Sequence, residues 1–213
     1  MPGKFITLEG GEGAGKSTAL AFIQQLLSEH GLNPLMTREP GGTPLGEKLR
    51  DLLLDYKNDQ MCDDTELLLM FAARAQHLAQ VIEPALQQEQ WVLCDRFTDA
   101  TYAYQGGGRG IDMKRIEQLE QWVQGTRRPD LTILLDVPIE IGMQRISTRE
   151  TTQGKRDRFE RERMSFFDKV RQTYLARANL FSQQFRIIDA SQSLENVQQQ
   201  LHQVVTTFLA EHL

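Results

Sequence analysis

Residues 8–18, LEGGEGAGKST, place four glycines ahead of a lysine and two hydroxyl side chains. The segment from Gly10 to Ser17 matches the pattern G-x-x-x-x-G-K-[ST] at every specified position. Glycines let backbone N–H groups close around an anion, and the N-terminus of a following helix adds partial positive charge. The segment therefore predicts a loop that binds a nucleoside triphosphate. The expected contacts are Gly10, Gly11, Glu12, Gly13, Ala14, Gly15, Lys16, Ser17 and Thr18.

Two side chains of this phosphate loop have expected chemical roles. Lys16 is expected to reach the β- and γ-phosphates, and the Ser17 hydroxyl is expected to bind Mg²⁺. The context supports this interpretation, because FITLE before the loop is typical of a strand and TALAFIQQLL after it of a helix. The chain has no N-K-x-D motif, which a guanine-reading GTPase should carry, so ATP is the expected donor.

A second candidate cluster follows the apolar run WVLC. Asp95 and Arg96 come where a buried strand is predicted to end. Ligands of open α/β sheets bind outside the carboxyl ends of the strands. Asp95 is therefore expected to hold Mg²⁺ or its water, and Arg96 to meet a phosphate.

A third signal is a local excess of positive charge between residues 145 and 163. Phosphoryl transfer from ATP must exclude water, and a basic flap supplies both exclusion and charge stabilisation. We expect a lid at about residues 145–158, with Arg145 contacting ATP and Arg149 near the transferred group. The cations of this segment are Arg145, Arg149, Lys155, Arg156, Arg158, Arg161 and Arg163.

The elements that must position these residues are short apolar runs alternating with amphipathic helical stretches. The runs KFITLEG, NPLMTRE, QWVLCDRF, DLTILLDV and QFRIIDAS predict parallel strands covered on both faces. The fold class is therefore α/β, a doubly wound sheet in one domain spanning 1–213. Helix starts are predicted at Thr43-Pro44 and at Ser193. Trp122 is expected on the apolar face of its helix, and His77 on a helix surface.

Composition limits the partners. The chain has 213 residues, 40% hydrophobic content and a formal net charge of −5, so nothing in its charge favours nucleic acid or a membrane surface. No apolar run is long enough to span a bilayer. Two cysteines, Cys62 and Cys94, form neither a disulfide framework nor a metal cluster, and Cys94 is expected to be a buried thiol. A cytoplasmic location is expected.

The segments LEGGEGAGKST, TREPGGT, MFAARAQH, DRFTDATYAYQGGGRGID and GKRDRFE together closely resemble the bacterial thymidylate kinases. The resemblance covers nearly the whole chain and implies a five-stranded parallel sheet flanked by helices. It implies transfer of the γ-phosphoryl group of ATP to thymidine monophosphate (dTMP), with Mg²⁺, by a homodimer.

The resemblance also implies how the acceptor is bound. Arg38 and Arg96 would hold the 5′-phosphate of dTMP, and Glu9 would lie near the sugar 3′-hydroxyl and Mg²⁺. Arg74 would hydrogen-bond a thymine carbonyl. The base and sugar would be lined by Phe71, Thr101, Tyr104 and Gln105.

The chain departs from the family pattern at the position of the stacking aromatic residue, and its phosphate loop is typical of one branch of the family. Many members place a stacking phenylalanine four residues before the arginine, where this chain has Met70, so Met70 and Phe71 remain alternatives. The phosphate loop carries no arginine, as in the branch whose catalytic arginine lies in the lid. Arg149 is the candidate, with Arg156 as the alternative.

The sequence thus predicts a thymidylate kinase in which Lys16, Arg96, Arg149 and Glu9 act in catalysis. One alternative keeps the reaction class and changes the acceptor to another nucleoside monophosphate or a deoxynucleoside. A second is a regulatory module that binds ATP without transferring phosphate. A third, an ATPase acting on nucleic acid, is disfavoured by the acidic balance.

Overall fold

The computed structural model describes residues 2–153, 158–160 and 162–213, with the backbone alone for 149–153. Five parallel strands form one sheet in the order β2-β3-β1-β4-β5. The predicted α/β fold with a five-stranded parallel sheet is confirmed, and each of the five apolar runs forms one of its strands. The strands are β1 (Phe5–Gly10), β2 (Leu35–Arg38), β3 (Val92–Asp95), β4 (Leu131–Asp136) and β5 (Phe185–Asp189).

Helices flank the sheet between successive strands. A π-helical segment, Leu78–Ile82, joins α3 to α4, and another, Tyr102–Gly108, continues α5. In the described part of the chain, no helix combines the length and apolar character needed to cross a membrane. The helices are α1 (Lys16–Glu29), α2 (Pro44–Leu54), α3 (Asp63–His77), α4 (Glu83–Gln87), α5 (Thr98–Thr101), α6 (Met113–Gln124), α7 (Ile139–Gln153), α8 (Met164–Leu180) and α9 (Leu194–His212).

The predicted helix starts are confirmed by their caps. The Thr43 hydroxyl accepts a hydrogen bond from the backbone N–H of Gly46 at 2.9 Å, and Pro44 opens α2. The Ser193 hydroxyl accepts from the N–H of Asn196 at the start of α9. These caps satisfy donors that a helix N-terminus otherwise leaves unpaired.

The burial of two side chains differs from the prediction. Trp122 is 83% exposed on α6, although Ile116 of the same helix is fully buried. His77 was predicted on a helix surface, and this is wrong, because the turn after β2 covers its ring. The His77 Nδ1 lies 3.0 Å from a Glu39 carboxylate oxygen, and its Nε2 lies 2.6 Å from the Thr37 hydroxyl.

Helix α7 contacts the phosphate loop through two glycines. A Cβ atom on Gly13 would lie 2.2 Å from the backbone oxygen of Gly142, and one on Gly142 would lie 2.6 Å from that of Glu12. This approach is possible because both residues lack side chains. It places Arg145, one turn further along α7, beside the loop.

Glu9 connects the end of β1 to two other elements beneath the loop. One carboxylate oxygen accepts from the backbone N–H of Phe97 at 2.7 Å, and the other accepts from the Tyr174 hydroxyl at 2.8 Å. The side chain is fully buried. Burial, reinforced by the nearby charge of Asp99, raises the pKa of Glu9 to about 8.

The variant Glu9→Gln tests this raised pKa. The folded protein holds the Glu9 proton more tightly than the unfolded chain, so the wild-type free energy of unfolding should fall as pH rises from the ordinary pKa, 4.5, to about 8. The slope from one group is at most about 1.4 kcal/mol per pH unit. Glutamine resembles the protonated acid and lacks this contribution, so the stability of the variant relative to wild type should increase over that range.

Urea unfolding at several pH values measures both proteins, with Glu117→Gln, which replaces an exposed carboxylate on α6, as the control. Parallel stability curves for wild type and Glu9→Gln would contradict the raised pKa.

Candidate functional site

A cavity of about 510 Å³ opens at the carboxyl edge of the sheet, between the phosphate loop and α3. Most of the sequence-predicted site residues surround it. Those that line it are Glu12, Gly13, Ala14, Gly15, Lys16, Ser17, Thr18, Arg74, Asp95, Arg96, Thr101, Tyr104, Gln105 and Arg145. Gly10 and Gly11 lie in the same loop but outside this lining.

The phosphate loop has the conformation that its glycines predict. Gly13 and Gly15 have φ values of 72° and 88°, in the region that favours glycine, and α1 begins at Lys16. The Lys16 ammonium lies 3.4 Å from the backbone oxygen of Gly10. Burial, followed by the charge of Arg96, lowers the pKa of Lys16. A phosphate group beside Lys16 would offset both effects.

Arg96 enters the cavity from a strained position just after β3. Its φ of 67° is unusual for a residue with a side chain. The guanidinium donates to a Glu12 carboxylate oxygen at 2.7 Å and lies 4.7 Å from the centre of the Tyr104 ring. The Tyr104 hydroxyl donates to the same oxygen at 2.9 Å. Glu12 therefore fixes two cavity side chains, a role that the glycine pattern does not reveal.

Ser17 and Asp95 form a site that fits Mg²⁺. Both line the cavity, and the Oδ1 atom of Asp95 is buried without a hydrogen-bond partner among the described residues. A buried acceptor without a partner is costly unless a ligand completes it. Magnesium bound with a nucleotide commonly takes one or two protein oxygens and fills its remaining positions with phosphate and water.

Arg74 lies on the opposite side of the cavity and is held rigidly. Its Nε donates to Glu39 at 2.7 Å, and its Nη2 donates to the Thr101 hydroxyl at 2.9 Å. The guanidinium also packs against the rings of Phe71 and Phe97. Its Nη1 is buried and has no hydrogen-bond partner among the described atoms. Arg74 lines the cavity, so its guanidinium is fixed in direction and keeps donor capacity that its protein contacts do not use.

The remaining predicted residues lie elsewhere. Both carboxylate oxygens of Glu9 are used in the core, and Glu9 is outside the cavity lining. The side chain of Arg38 is 53% exposed and pairs with Glu47 at 2.8 Å. Phe71 is buried in a cluster with Leu67 and is absent from the lining.

Two other residues occupy places that the sequence assigned to Phe71 and Arg38. Met70 lines the cavity at the Arg74 end, which favours the Met70 alternative for contact with a base. Arg50 of α2 lines it as well, with its Nη1 donating to the backbone oxygen of Pro40 at 2.9 Å. Burial, followed by the charge of Arg38, lowers the pKa of Arg50. The sequence signal for Arg50 is weak, because an arginine on an amphipathic helix is usually solvated.

The predicted lid falls partly within the described residues. Arg145 donates to the backbone oxygen of Ala190 at 3.0 Å, between the main cavity and a second one of about 260 Å³ that extends toward α9. The side chain of Arg149 lies outside the described residues, as do Lys155 and Arg156.

Comparison with known proteins identifies the family. A family model described as thymidylate kinase matches residues 8–201. The chain is 59% identical over 201 residues to the thymidylate kinase of Pseudomonas putida strain F1, covering 94% of each chain. It is 56% identical over 209 residues to those of Ectopseudomonas mendocina and Pseudomonas syringae pathovar tomato, covering 98% of each chain. With the phosphate loop, the sheet order and the two-ended cavity in place, these matches establish that the chain belongs to the thymidylate kinase family.

Proposed function

We propose that this chain transfers the γ-phosphoryl group of ATP to dTMP, giving dTDP and ADP. The observation that carries the proposal is one cavity lined both by a complete phosphate loop and by Arg74, whose Nη1 has no hydrogen-bond partner among the described atoms. Such a donor suits a base carbonyl, and the cavity between it and Lys16 would accommodate one mononucleotide facing a triphosphate. The chain acts as one kinase domain with its lid at residues 145–158.

The donor triphosphate binds along the phosphate loop. Backbone N–H groups of the loop and the N-terminus of α1 face its oxygens, and Lys16 neutralises the β- and γ-phosphates. Ser17 and Asp95 hold Mg²⁺ beside them. The ion, when bound, neutralises charge on the phosphate oxygens.

The acceptor binds across the cavity from the donor. Arg96 and Arg50 hold its 5′-phosphate, and Arg38 contributes charge from a more exposed position. Arg74 donates to the thymine carbonyl, while Met70 provides an apolar surface for the ring. Glu12 lines the cavity and holds Arg96 and Tyr104 in it, and Glu9 supports the site from beneath the loop.

The rate enhancement comes from positioning and charge stabilisation. Holding acceptor oxygen and γ-phosphorus in line requires no covalent intermediate. Lys16 and Arg96 line the cavity beside the phosphate loop, and we assign to both, with Arg149 of the lid, the stabilisation of charge on the transferred group. Arg145 steadies the adenosine end of ATP next to the second cavity.

The acceptor assignment predicts a narrow substrate range. With Mg²⁺ and ATP, ADP release should be rapid with dTMP and at least about 100-fold slower with deoxycytidine, deoxyguanosine and deoxyadenosine monophosphates, because unpaired polar atoms and extra ring volume oppose them. A coupled assay with each acceptor at equal concentration measures this. Fast turnover with a purine nucleotide would reject the base assignment, and no turnover with any acceptor would reject the kinase proposal.

Lys16→Ala should separate chemistry from acceptor binding. We expect kcat to fall about 100-fold or more, because charge stabilisation on the transferred group is lost, while the Kd for dTMP changes little. Steady-state kinetics and titration calorimetry measure the two quantities. Lys114→Ala, which removes an exposed lysine on α6, is the control. Comparable turnover in Lys16→Ala and wild type would contradict the role of Lys16.

We further propose that the enzyme is a cytoplasmic homodimer. Its two free cysteines suit a reducing compartment. Helix α3 contacts both α2 and α6, and each of these helices leaves a large apolar side chain exposed: Leu52, Leu68 and Trp122. Exposed apolar side chains grouped on adjacent helices are typical of protein interfaces.

Sedimentation velocity tests the dimer. Wild type should sediment as a dimer at micromolar concentration, and Leu68→Glu should shift it to monomer, because a charge would be buried at the interface. Leu194→Glu, an equally exposed leucine on α9, should remain dimeric. A monomeric wild type would contradict the proposal.

A further inference from the structure

Glu66 is a buried carboxylate on α3 that the reaction described above does not use. Its side chain is fully buried and is surrounded by donors from other parts of the chain. The Gln105 amide donates to its Oε1 at 2.7 Å, and Arg158 donates to its Oε2. The Nε of Arg109 lies 3.3 and 3.2 Å from the two oxygens. Every contact in this set treats Glu66 as an acceptor.

The contact with Glu66 sets which way the Gln105 amide faces. A glutamine amide has one oxygen that accepts and one nitrogen that donates, and its two orientations differ only by a flip. Since Nε2 of Gln105 donates to Glu66, the amide nitrogen is directed toward this carboxylate and the oxygen Oε1 is directed away from it, available to accept from another partner. Gln105 lines the main cavity and lies one helical turn after Thr101, to which Arg74 donates. The cavity is therefore lined by a donor residue, Arg74, and by Gln105, whose amide oxygen is not bonded to Glu66.

We propose that Glu66 is a positioning residue that determines base specificity by holding the Gln105 amide with its oxygen toward the acceptor base. The inference rests on the proposed function and adds a determinant to it. Thymine offers a carbonyl acceptor at C4 and an N–H donor at N3, which pair with Arg74 and Gln105 respectively. Cytosine has the opposite pattern, with an amino donor at C4 and an acceptor at N3, so both contacts would be mismatched.

Arg109 and Arg158 explain why position 66 needs a carboxylate rather than an amide to hold Gln105 in this orientation. Glu66 uses Oε2 for Arg158 and shares both oxygens with Arg109, so a glutamine at this position would turn its single oxygen toward these cations. Its NH₂ group would then face Gln105, whose oxygen would rotate to accept from it. The Gln105 nitrogen would thereby turn toward the base, where it suits N3 of cytosine rather than N3–H of thymine.

The test compares dTMP with the monophosphate of 5-methyldeoxycytidine. These two nucleotides share the sugar, phosphate and ring methyl group and differ only at positions 3 and 4 of the base. The measured quantity is the ratio of kcat/KM for the two acceptors. This ratio does not depend on the fraction of folded enzyme, because both acceptors are measured on the same preparation. In Glu66→Gln the preference for dTMP should fall about 10- to 100-fold, the cost of mispairing one buried polar group. Calorimetry gives a second measure, the Kd of the 5-methyldeoxycytidine nucleotide divided by the Kd of dTMP, and this ratio should fall by the same factor.

Glu120→Gln is the matched control. Glu120 is also a buried carboxylate, accepting from the Tyr102 hydroxyl and the Gln124 amide and pairing with Arg128. None of these three partners lines the main cavity, whereas Gln105, the partner of Glu66, does. Its replacement should lower the unfolding temperature and leave the dTMP preference unchanged.

Glu66→Asp provides a second variant should Glu66→Gln fail to fold. It keeps the charge between the two arginines but is one methylene too short to hold Gln105, so the preference should also fall. An unchanged preference in whichever Glu66 variant folds would overturn the inference, even though wild type remains an active thymidylate kinase. A wild type inactive with dTMP would instead overturn the proposed function.

Discussion

Burial of charge is the constraint on which the site depends. A guanidinium removed from water must be paired, and two of the arginines that line the cavity, Arg74 and Arg96, are each held by a carboxylate from a different element. Glu39, at the end of β2, fixes Arg74 of α3, and Glu12 of the phosphate loop fixes Arg96. Glu66 does the same for the arginines near the lid. Each ion pair therefore joins two elements and also fixes the direction of a donor before any ligand arrives, which is the preorganisation that charge stabilisation requires.

The parallel sheet makes this arrangement possible. β1 lies between β3 and β4, so the phosphate loop and the residues after β3 meet at one edge. The left-handed backbone at Arg96 is maintained by bonds on both sides: its N–H donates to the backbone oxygen of Leu8, and the N–H of Phe97 donates to Glu9. Strain of this kind persists where surrounding contacts over-determine the conformation. The Tyr174 hydroxyl of α8 donates to Glu9 beneath the phosphate loop, so the last third of the chain also supports the loop.

The sequence predicts the parts of the site that depend on adjacent residues and misses the parts that depend on contacts between residues far apart in the chain. The phosphate loop and the five strands follow from glycine spacing and apolar runs, which are properties of adjacent residues, and they were predicted correctly. Glu39 and Glu66 act through partners 35 to 92 positions away, and no periodicity signals such contacts. The sequence left Met70 and Phe71 as alternatives for a related reason. Adjacent helical residues are separated by about 100° around the axis, so a small rotation of α3 decides which one faces the cavity. The prediction that His77 lies on a helix surface was wrong because the turn that buries its ring, after β2, is distant in the sequence.

The two ends of the cavity differ in how their charges are balanced. At the phosphate end, burial and neighbouring cations lower the pKa values of both Lys16 and Arg50, so positive charge there is crowded. A phosphate group relieves this repulsion whatever base it carries, so this end supplies affinity for mononucleotides in general. At the base end, Arg74 is already neutralised by Glu39, and Gln105 is already bonded to Glu66. These two side chains can therefore attract a base only through single hydrogen bonds of fixed direction. A base with the opposite donor and acceptor pattern leaves those bonds unmade. In the proposed function, discrimination would therefore depend on Glu39 and Glu66, the carboxylates that hold Arg74 and Gln105.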